Sequence, residues 1–231
     1  MTSLVNQLPP PLDFEANERR INRANLDEVE TEVINRSERL TTRIRHFAAQ
    51  FGMAEEEFWK ELEANPAGPL AATLAKEARR QNIHESVAAE YVSRLPYVES
   101  FRKLKPSGKE ALYITSDGQI STGAALGTAP RPSKSIDFQW QTGAVTCYAA
   151  QKYTREVGGN QDNQFKEIET LLRNFLPRIN NDVALFALVD GPYYTEPRLA
   201  QLSGLVRLQR PFSYVTSVNR LLPILQDIAG V

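Results

Sequence analysis

Apolar residues at helical spacing dominate the first hundred positions of the chain. Within "DEVETEVINRSERLTTRIRHFAAQFG" (27–52) the apolar positions are Val29, Val33, Ile34, Leu40, Ile44, Phe47 and Phe51. This spacing predicts helix, and Gly52 supplies a helix stop. The stretches "AEEEFWKELEAN", "LAATLAKEARRQ" and "HESVAAEYVSRLPYVESFRKL" repeat the pattern. We therefore expect an all-helical N-terminal region over residues 1–106.

The pattern changes to strands after residue 106. The segment "ALYITSDGQIST" predicts two strands around a Ser-Asp-Gly turn, and "SIDFQWQTGAVTCYAAQKYT" (135–154) predicts a second hairpin. An amphipathic helix, "QDNQFKEIETLLRNFLPRI", precedes "NNDVALFALVDG", an apolar run typical of a strand buried on both faces. A last strand and a closing helix follow in "FSYVTSVNRLLPILQDIAG". Residues 107–231 thus predict an α/β fold of the α+β type, a mixed sheet flanked by helices.

Composition narrows the classes of function. The 231 residues are 42% hydrophobic with a net charge of -1, which supports a real core and gives no sign of a basic, nucleic-acid-binding composition. The single Cys147 and the distant His46 and His84 argue against a disulfide framework, a cysteine zinc site and a histidine-based active site. The sequence has neither a signal peptide nor a run long enough to span a bilayer, so we expect a soluble cytoplasmic protein with no membrane partner.

The hairpin at 135–154 carries the candidate chemistry. Strand alternation predicts that Ile136, Phe138 and Trp140 face the core and that Asp137 lies on a polar, open face. Alternation on the second strand predicts that Lys152 shares a face with Thr146, Tyr148 and Ala150. The two polar faces can meet at one edge of a sheet. The simplest interpretation is a cross-strand Asp-Lys ion pair worth a few tenths of a kcal/mol.

Here the chain resembles the PD-(D/E)XK nuclease superfamily, most closely its Type II restriction endonucleases. "SID" matches the first motif element through Asp137, and Ile136 stands where the family often has proline. "AQK" matches the (Asp/Glu)-x-Lys element through Ala150, Gln151 and Lys152. The order of strands, helix and buried strand over roughly residues 110–230 matches the restriction-endonuclease-like core.

The resemblance implies Mg²⁺-dependent hydrolysis of double-stranded DNA at a short specific site by a homodimer, with the helical region serving specificity or dimerisation. Asp137 would be the central metal ligand, position 150 the second, and the main-chain carbonyl of Gln151 a third. Lys152 would orient or help to deprotonate the attacking water. Asp137, Ala150 and Lys152 are therefore the expected catalytic positions.

Ala150 departs from the family pattern, because a methyl group cannot bind a cation. We favour the hypothesis that the chain is a variant inactivated by replacement of a Glu or Asp at this position. A naturally degenerate nuclease is a second explanation. In a third, the ligand comes from elsewhere in the fold, for instance from Glu90 or Glu99.

Polar residues after the hairpin are candidates for contacts to DNA. Arg155 is the nearest cation for a phosphate, and an amide-rich helix start at Asn160, Gln161, Asn163 and Gln164 could touch the backbone or base edges. A simple loop and helix cap is the alternative for this segment. Three other functions stay open: a repair or mobile-element nuclease of the same fold, a non-catalytic DNA-binding protein, and an α+β interaction domain without a DNA role.

Overall fold

The computed structural model describes residues 8–75, 80–127, 134–155, 159–175, 182–206 and 212–231, with backbone alone at 80–82 and 159–160. Over these residues the fold is mixed α/β: a five-stranded mixed sheet, a two-stranded sheet and eight helices. The chain divides into two compact units, Asp13–Ile83 and the combination of Met1–Leu12 with His84–Val231. No helix in the described ranges combines the length and apolar character that a bilayer crossing requires. The functional boundary predicted near residue 106 stays a prediction.

The first unit consists of four helices. They are α1 (Phe14–Ile34), α2 (Glu38–Phe51), α3 (Glu55–Ala64) and α4 (Pro69–Ala75). Side-chain caps begin the first two, because Asp13 accepts a hydrogen bond from Ala16 N at 2.9 Å and Ser37 accepts one from Leu40 N at 3.1 Å. Their shared core contains Val29, Val33, Leu40, Ile44, Ala48, Phe58, Leu62, Ala71 and Leu74. The predicted helical region is confirmed for these segments.

The helical pattern predicted over residues 27–52 is interrupted by a break between α1 and α2. Arg36 adopts a left-handed φ of 44°, and the chain resumes as helix only after Ser37. Two of the apolar positions at helical spacing do not pack in the core: Ile34, the last residue of α1, is 81% exposed, and Phe51, the last residue of α2, is 57% exposed. The predicted stop is confirmed, because Gly52 ends α2 in the left-handed conformation that glycine adopts readily.

The second unit holds most of α5 (Arg80–Ser93) and every strand in the described ranges. The strands are β1 (Glu99–Lys103), β2 (Leu112–Ile114), β3 (Ile120–Thr122), β4 (Phe138–Thr142), β5 (Val145–Tyr153), β6 (Val183–Asp190) and β7 (Phe212–Thr216). The remaining helices are α6 (Gly159–Asn174), α7 (Glu196–Ser203) and α8 (Leu221–Ala229), with one 3₁₀ turn at Val218–Arg220. Both predicted hairpins, β2–β3 and β4–β5, are confirmed.

Strand β1 was not predicted, because the sequence indicated helix through residue 104. Helix α5 stops at Ser93, two residues before Leu95-Pro96, and Tyr97 and Ser100 both have positive φ. The short segment that follows pairs antiparallel with β4 as an edge strand. Proline disfavours helix in the residue before it, which explains where the helical pattern ends.

The main sheet has the order β1-β4-β5-β6-β7. The pairs β1–β4 and β4–β5 are antiparallel, and the pairs β5–β6 and β6–β7 are parallel. The parallel strands β5 and β6 are joined through α6, as a βαβ connection requires. Strand β6 lies between two neighbours, and every residue from Ala184 to Asp190 is buried. The predicted strand buried on both faces is therefore confirmed.

Two apolar layers cover the faces of this sheet. On the α6 face, Ala150, Leu185, Ala187 and Val189 join a cluster with Phe165, Ile168 and Leu172 of the helix. On the other face, the rings of Trp140 and Phe186 lie 5.2 Å apart, and Phe186 stacks on Tyr214 at 4.9 Å. Packing in both layers holds the carboxyl ends of β5 and β6 and the start of β4 together at one end of the sheet.

Candidate active site

Asp137 lies just before β4 and is fixed from several directions. Its Oδ1 accepts a hydrogen bond from Lys134 Nζ at 2.6 Å, and its Oδ2 accepts one from the backbone N–H of Gln151 at 2.8 Å. Its own backbone N–H donates to Ala149 O, and its carbonyl accepts from Leu104 N, both at 2.8 Å. Ionised acceptors make short, strong hydrogen bonds, so this carboxylate is rigidly oriented.

The strand approaching Asp137 does not alternate as predicted. Asp137 is only 2% exposed, so the predicted open face is wrong at this residue. Ile136 packs in the α6 cluster, whereas Trp140 packs on Phe186 across the opposite face, with Phe138 on the same side as Trp140. Regular β4 pairing begins only at Phe138, and this irregularity lets Ile136 and Phe138 point to opposite faces.

Lys152 lies near the end of β5 and is 8% exposed. Its ammonium group pairs with Glu167 Oε2 of α6 at 3.3 Å, rather than with Asp137 as the simple cross-strand interpretation predicted. Burial lowers the pKa of Lys152, and the nearby charge of Lys134 lowers it further, while the carboxylates of Glu167 and Asp137 oppose both effects. Lys152 is therefore in the electrostatic field of Asp137 without touching it.

Ala150 occupies the position where the family motif places a carboxylate. Asp137 lies beside this position, because its backbone N–H donates to Ala149 O and its carboxylate accepts from Gln151 N, both at 2.8 Å. Ala150 has no exposed surface and belongs to the apolar cluster that also contains Ile168. The position thus packs against the helix face, and its role as a vacated metal ligand stays a prediction.

Gln151 precedes Lys152 on β5, so the two side chains lie on opposite faces of the sheet. The backbone N–H of Gln151 donates to Asp137, while its side chain is fully buried. Neither amide atom of that side chain has a hydrogen-bond partner among the described residues. The expectation that its main-chain carbonyl ligates a metal stays a prediction.

Glu167 and Lys134 are the two charged members of this cluster that the sequence did not suggest. A signal for Glu167 was present: the helix joining two parallel strands must pack beside the end of the first strand, so its early turns lie near Lys152. Glu167 borders the buried positions Phe165 and Ile168, and its side chain is 32% exposed. Lys134 lies three residues before Asp137, and its side chain is 12% exposed.

The two substitute ligands suggested by the sequence lie elsewhere. Glu99 pairs with Gln141 in the β1–β4 ladder, and Gln141 is four residues along the chain from Asp137. A strand advances about 3.3 Å per residue, which puts this position roughly 13 Å away. Glu90 forms an ion pair with Arg94 at 2.6 Å on an exposed part of α5. Glu167 is the carboxylate found beside Lys152 instead.

The predicted DNA-contacting residues cluster around the end of β5 and the start of α6. Arg155 and Asn163 are exposed and Gln161 is half-buried. Gln164 is also half-buried, and its Oε1 accepts a hydrogen bond from Thr154 Oγ1 at 3.3 Å. The side chain of Asn160 lies outside the described residues. Contact of these residues with DNA stays a prediction.

Within the described ranges, no group of three or more histidine, cysteine, aspartate or glutamate side chains forms a metal-binding cluster. The arrangement is two carboxylates and two lysines at one sheet edge, contributed by the approach to β4, the end of β5 and α6. No protein-family model matches the chain, and comparisons with curated proteins and with solved structures find no significant match.

Proposed function

We propose that the chain is a Mg²⁺-dependent endonuclease of the restriction-endonuclease type that hydrolyses double-stranded DNA, with Asp137, Lys152 and Glu167 as its reactive centre. The observation that best supports this proposal is the 3.3 Å ion pair between Lys152 and Glu167, which lies near the fixed carboxylate of Asp137. The sheet order supports the proposal, because an antiparallel meander, a crossover helix and a parallel strand surround this edge. The restriction-endonuclease-like core is likewise part of the proposal.

The donor chemistry fits an oxygen-ligated cation. Asp137 and Glu167 offer carboxylate oxygens, and magnesium is commonly held by one or two carboxylates with water and phosphate oxygens completing its shell. When bound, magnesium supplies positive charge that stabilises the phosphate and acidifies water. Asp137 Oδ1 accepts a hydrogen bond from the ammonium group of Lys134, so a cation at this oxygen would repel that ammonium group and displace it.

The protein's own residues would then divide the work. Lys152 has a lowered pKa, which brings its ammonium nearer to releasing a proton and suits it to orient the attacking water or take its proton. Lys134, once displaced from Asp137, would offset charge on a phosphate oxygen. Arg155 and the polar start of α6 lie along the same edge, where a DNA backbone would pass.

Glu167 also changes the interpretation of Ala150. In this proposal Glu167 of α6 serves as the second carboxylate ligand. An alanine at position 150 is then compatible with an active native enzyme. Any larger side chain at 150 must enter the apolar layer between β5 and α6. The earlier hypothesis of an inactivated variant makes the opposite prediction, namely that restoring a carboxylate at 150 restores activity.

The test is digestion of mixed-sequence genomic DNA with magnesium by the unaltered protein, Glu167→Gln and Ala150→Glu. We expect cleavage by the unaltered protein and at least a hundredfold loss in Glu167→Gln, because the second carboxylate is gone. Glu169→Gln is the matched control, since Glu169 lies on the same helix and its carboxylate accepts from Gln201 at 2.8 Å, away from Lys152. It should cut within a fewfold of the unaltered rate.

Ala150→Glu separates the two hypotheses about this site. We expect it to unfold at lower urea concentration and to cut no faster, because it buries a carboxylate in an apolar layer. A gain of cleavage would instead support the vacated-ligand hypothesis. The nuclease proposal itself fails if the unaltered protein and Ala150→Glu both leave every duplex intact with magnesium or manganese.

A non-catalytic DNA-binding protein is the second candidate, favoured by the two hydrogen bonds that the Asp137 carboxylate already accepts from Lys134 and from the Gln151 N–H. Retention of duplex in a gel-shift assay with calcium, together with no cleavage by any variant, would support it. A homodimer on a palindromic site is part of the leading proposal. Sedimentation of the protein with and without duplex DNA measures that state directly.

A further inference from the structure

A cavity of about 470 Å³ opens at the carboxyl ends of β6 and β7, in the same unit as the candidate active site. Its walls come from the end of β6, the loop into α7, α7 itself, and the turn that follows β7. The volume falls within the range of small-ligand sites, and the carboxyl edge of parallel strands is where open α/β sheets bind ligands. None of Asp137, Lys152 and Glu167 lines this cavity.

Asp190, the last residue of β6, supplies a buried carboxyl group to the cavity wall. The residue is 9% exposed, and its Oδ2 accepts a hydrogen bond from Val218 N at 3.2 Å. No other hydrogen bond to this carboxyl group comes from the described residues. Burial raises the pKa of Asp190 to about 7. A buried polar group that can accept or donate further hydrogen bonds destabilises the fold unless a ligand or water forms them.

Tyr194 adds a second polar group with spare hydrogen-bonding capacity. The residue is 7% exposed, and its hydroxyl forms no hydrogen bond of ordinary geometry with the described residues. Burial raises its pKa, although the nearby Thr154 hydroxyl partly offsets that effect. Asp190 and Tyr194, two buried residues whose polar groups can form further hydrogen bonds, therefore line the same cavity.

The other walls divide into apolar and cationic parts. Val189, Leu199 and Val215 contribute apolar surface, and Thr216 and Ser217 contribute hydroxyls. The exposed Arg220 lies at the rim, and it forms no ion pair with a described residue. A fitting ligand has an apolar or planar body, N–H donors for a carboxylate, and an anionic group for a guanidinium.

We propose that this cavity binds a nucleoside monophosphate, with the base against the apolar wall and the Asp190 carboxyl group, and the phosphate at Arg220. The site goes beyond the proposed nuclease chemistry and does not depend on it. The nucleotide can come from solution or from an unstacked position of a DNA strand, since both present a base and a 5′-phosphate. The register pairs Tyr153 with Asp190, so the cavity lies one strand away from the end of β5.

Calorimetric titration without metal tests the site, using the four deoxynucleoside monophosphates, deoxyribose 5-phosphate and inorganic phosphate as probes. We expect at least one mononucleotide to bind tenfold or more tightly than deoxyribose 5-phosphate. Arg220→Gln should weaken that affinity about tenfold, and Asp190→Asn should bring it to the level of the sugar phosphate. Arg94→Gln, which alters an exposed arginine directly after α5, should leave the affinity unchanged.

Lys152→Met keeps failure of this proposal distinct from failure of the nuclease proposal. It removes a proposed catalytic group and should leave nucleotide affinity as it is. The proposal is overturned if no mononucleotide binds at millimolar concentration, or if the affinity matches that of deoxyribose 5-phosphate. It is equally overturned if Arg220→Gln and Asp190→Asn bind normally.

A duplex containing 2-aminopurine distinguishes the two sources of the nucleotide. If the cavity takes a base from DNA, fluorescence should rise when the unaltered protein binds and should stay low with Asp190→Asn. If free nucleotides bind and fluorescence stays low with both proteins, the ligand comes from solution. Either result, given mononucleotide binding, supports the site and assigns its source.

Discussion

The carboxyl group of Asp190 should make the folded protein less stable as the pH rises, and Asp190→Asn should remove that effect. Burial raises its pKa from the ordinary 3.8 to about 7, against a weaker opposing effect of the Val218 N–H. The folded protein therefore holds a proton that the unfolded chain releases in this interval. Stability is fully present below about pH 4 and is lost as the pH rises towards the folded-state pKa.

The magnitude follows from the size of this shift. Moving a pKa from 3.8 to about 7 corresponds to roughly 4 kcal/mol of unfolding free energy. The steepest slope is about 1.4 kcal/mol per pH unit, so the loss between pH 5 and 7 is roughly 2–3 kcal/mol. Asparagine keeps the shape and can accept the Val218 hydrogen bond, but it has no proton to lose.

Urea unfolding followed by tryptophan fluorescence, with Trp59 replaced by Phe so that the buried Trp140 alone reports, measures this difference at pH 5, 6, 7 and 8. The stability of Asp190→Asn relative to the unaltered protein should rise by roughly 2–3 kcal/mol from pH 5 to 7. Asp227→Asn, an exposed position on α8, is the matched control and should give a flat difference. A flat or falling difference for Asp190→Asn would refute the reasoning.

Two further predictions concern packing. Gly191 has φ +98°, and a Cβ there would collide with the Thr154 backbone. Gly191→Ala should therefore cost roughly 1–3 kcal/mol more than Gly143→Ala, whose open turn has φ +57°; equal melting temperatures would contradict this. Burial raises the pKa of the Cys147 thiol to about 12, so a thiol reagent at pH 8 should label it only in urea, and rapid native labelling would contradict its burial.

Much of the fold could be predicted because periodicity reports burial. The continuous apolar run of β6 indicated a central strand, and alternation indicated the β4–β5 hairpin. Strand β1 could not be predicted in the same way. It is a five-residue edge strand with no buried residue, so its sequence carries neither alternation nor an apolar run. The break at Arg36 was also hidden, because apolar residues continue at helical spacing across it.

The candidate site could be predicted only as far as the strands extend. Asp137 and Lys152 lie at the same end of the sheet, as the motif spacing indicated. Each forms an ion pair with a residue that strand alternation and pairing could not predict. Glu167 comes from a helix whose rotation about its axis depends on packing against Ala150 and its neighbours. Lys134 comes from a segment without regular structure. Such partners depend on tertiary packing, which the hydrophobic pattern does not encode.

Asp137 has a second consequence, because its Oδ2 accepts the backbone N–H of Gln151 at the point where regular β4 pairing stops. A side chain here replaces a missing hydrogen bond of the ladder, so under the proposed nuclease function selection for folding acts on Oδ2 and selection for chemistry acts on Oδ1 of the same carboxylate. Lineages that lose the proposed nuclease activity would keep an acid or an amide at this position long after Lys152 and Glu167 have changed. Asparagine, which retains that acceptor, is accordingly the first substitution such a lineage would tolerate.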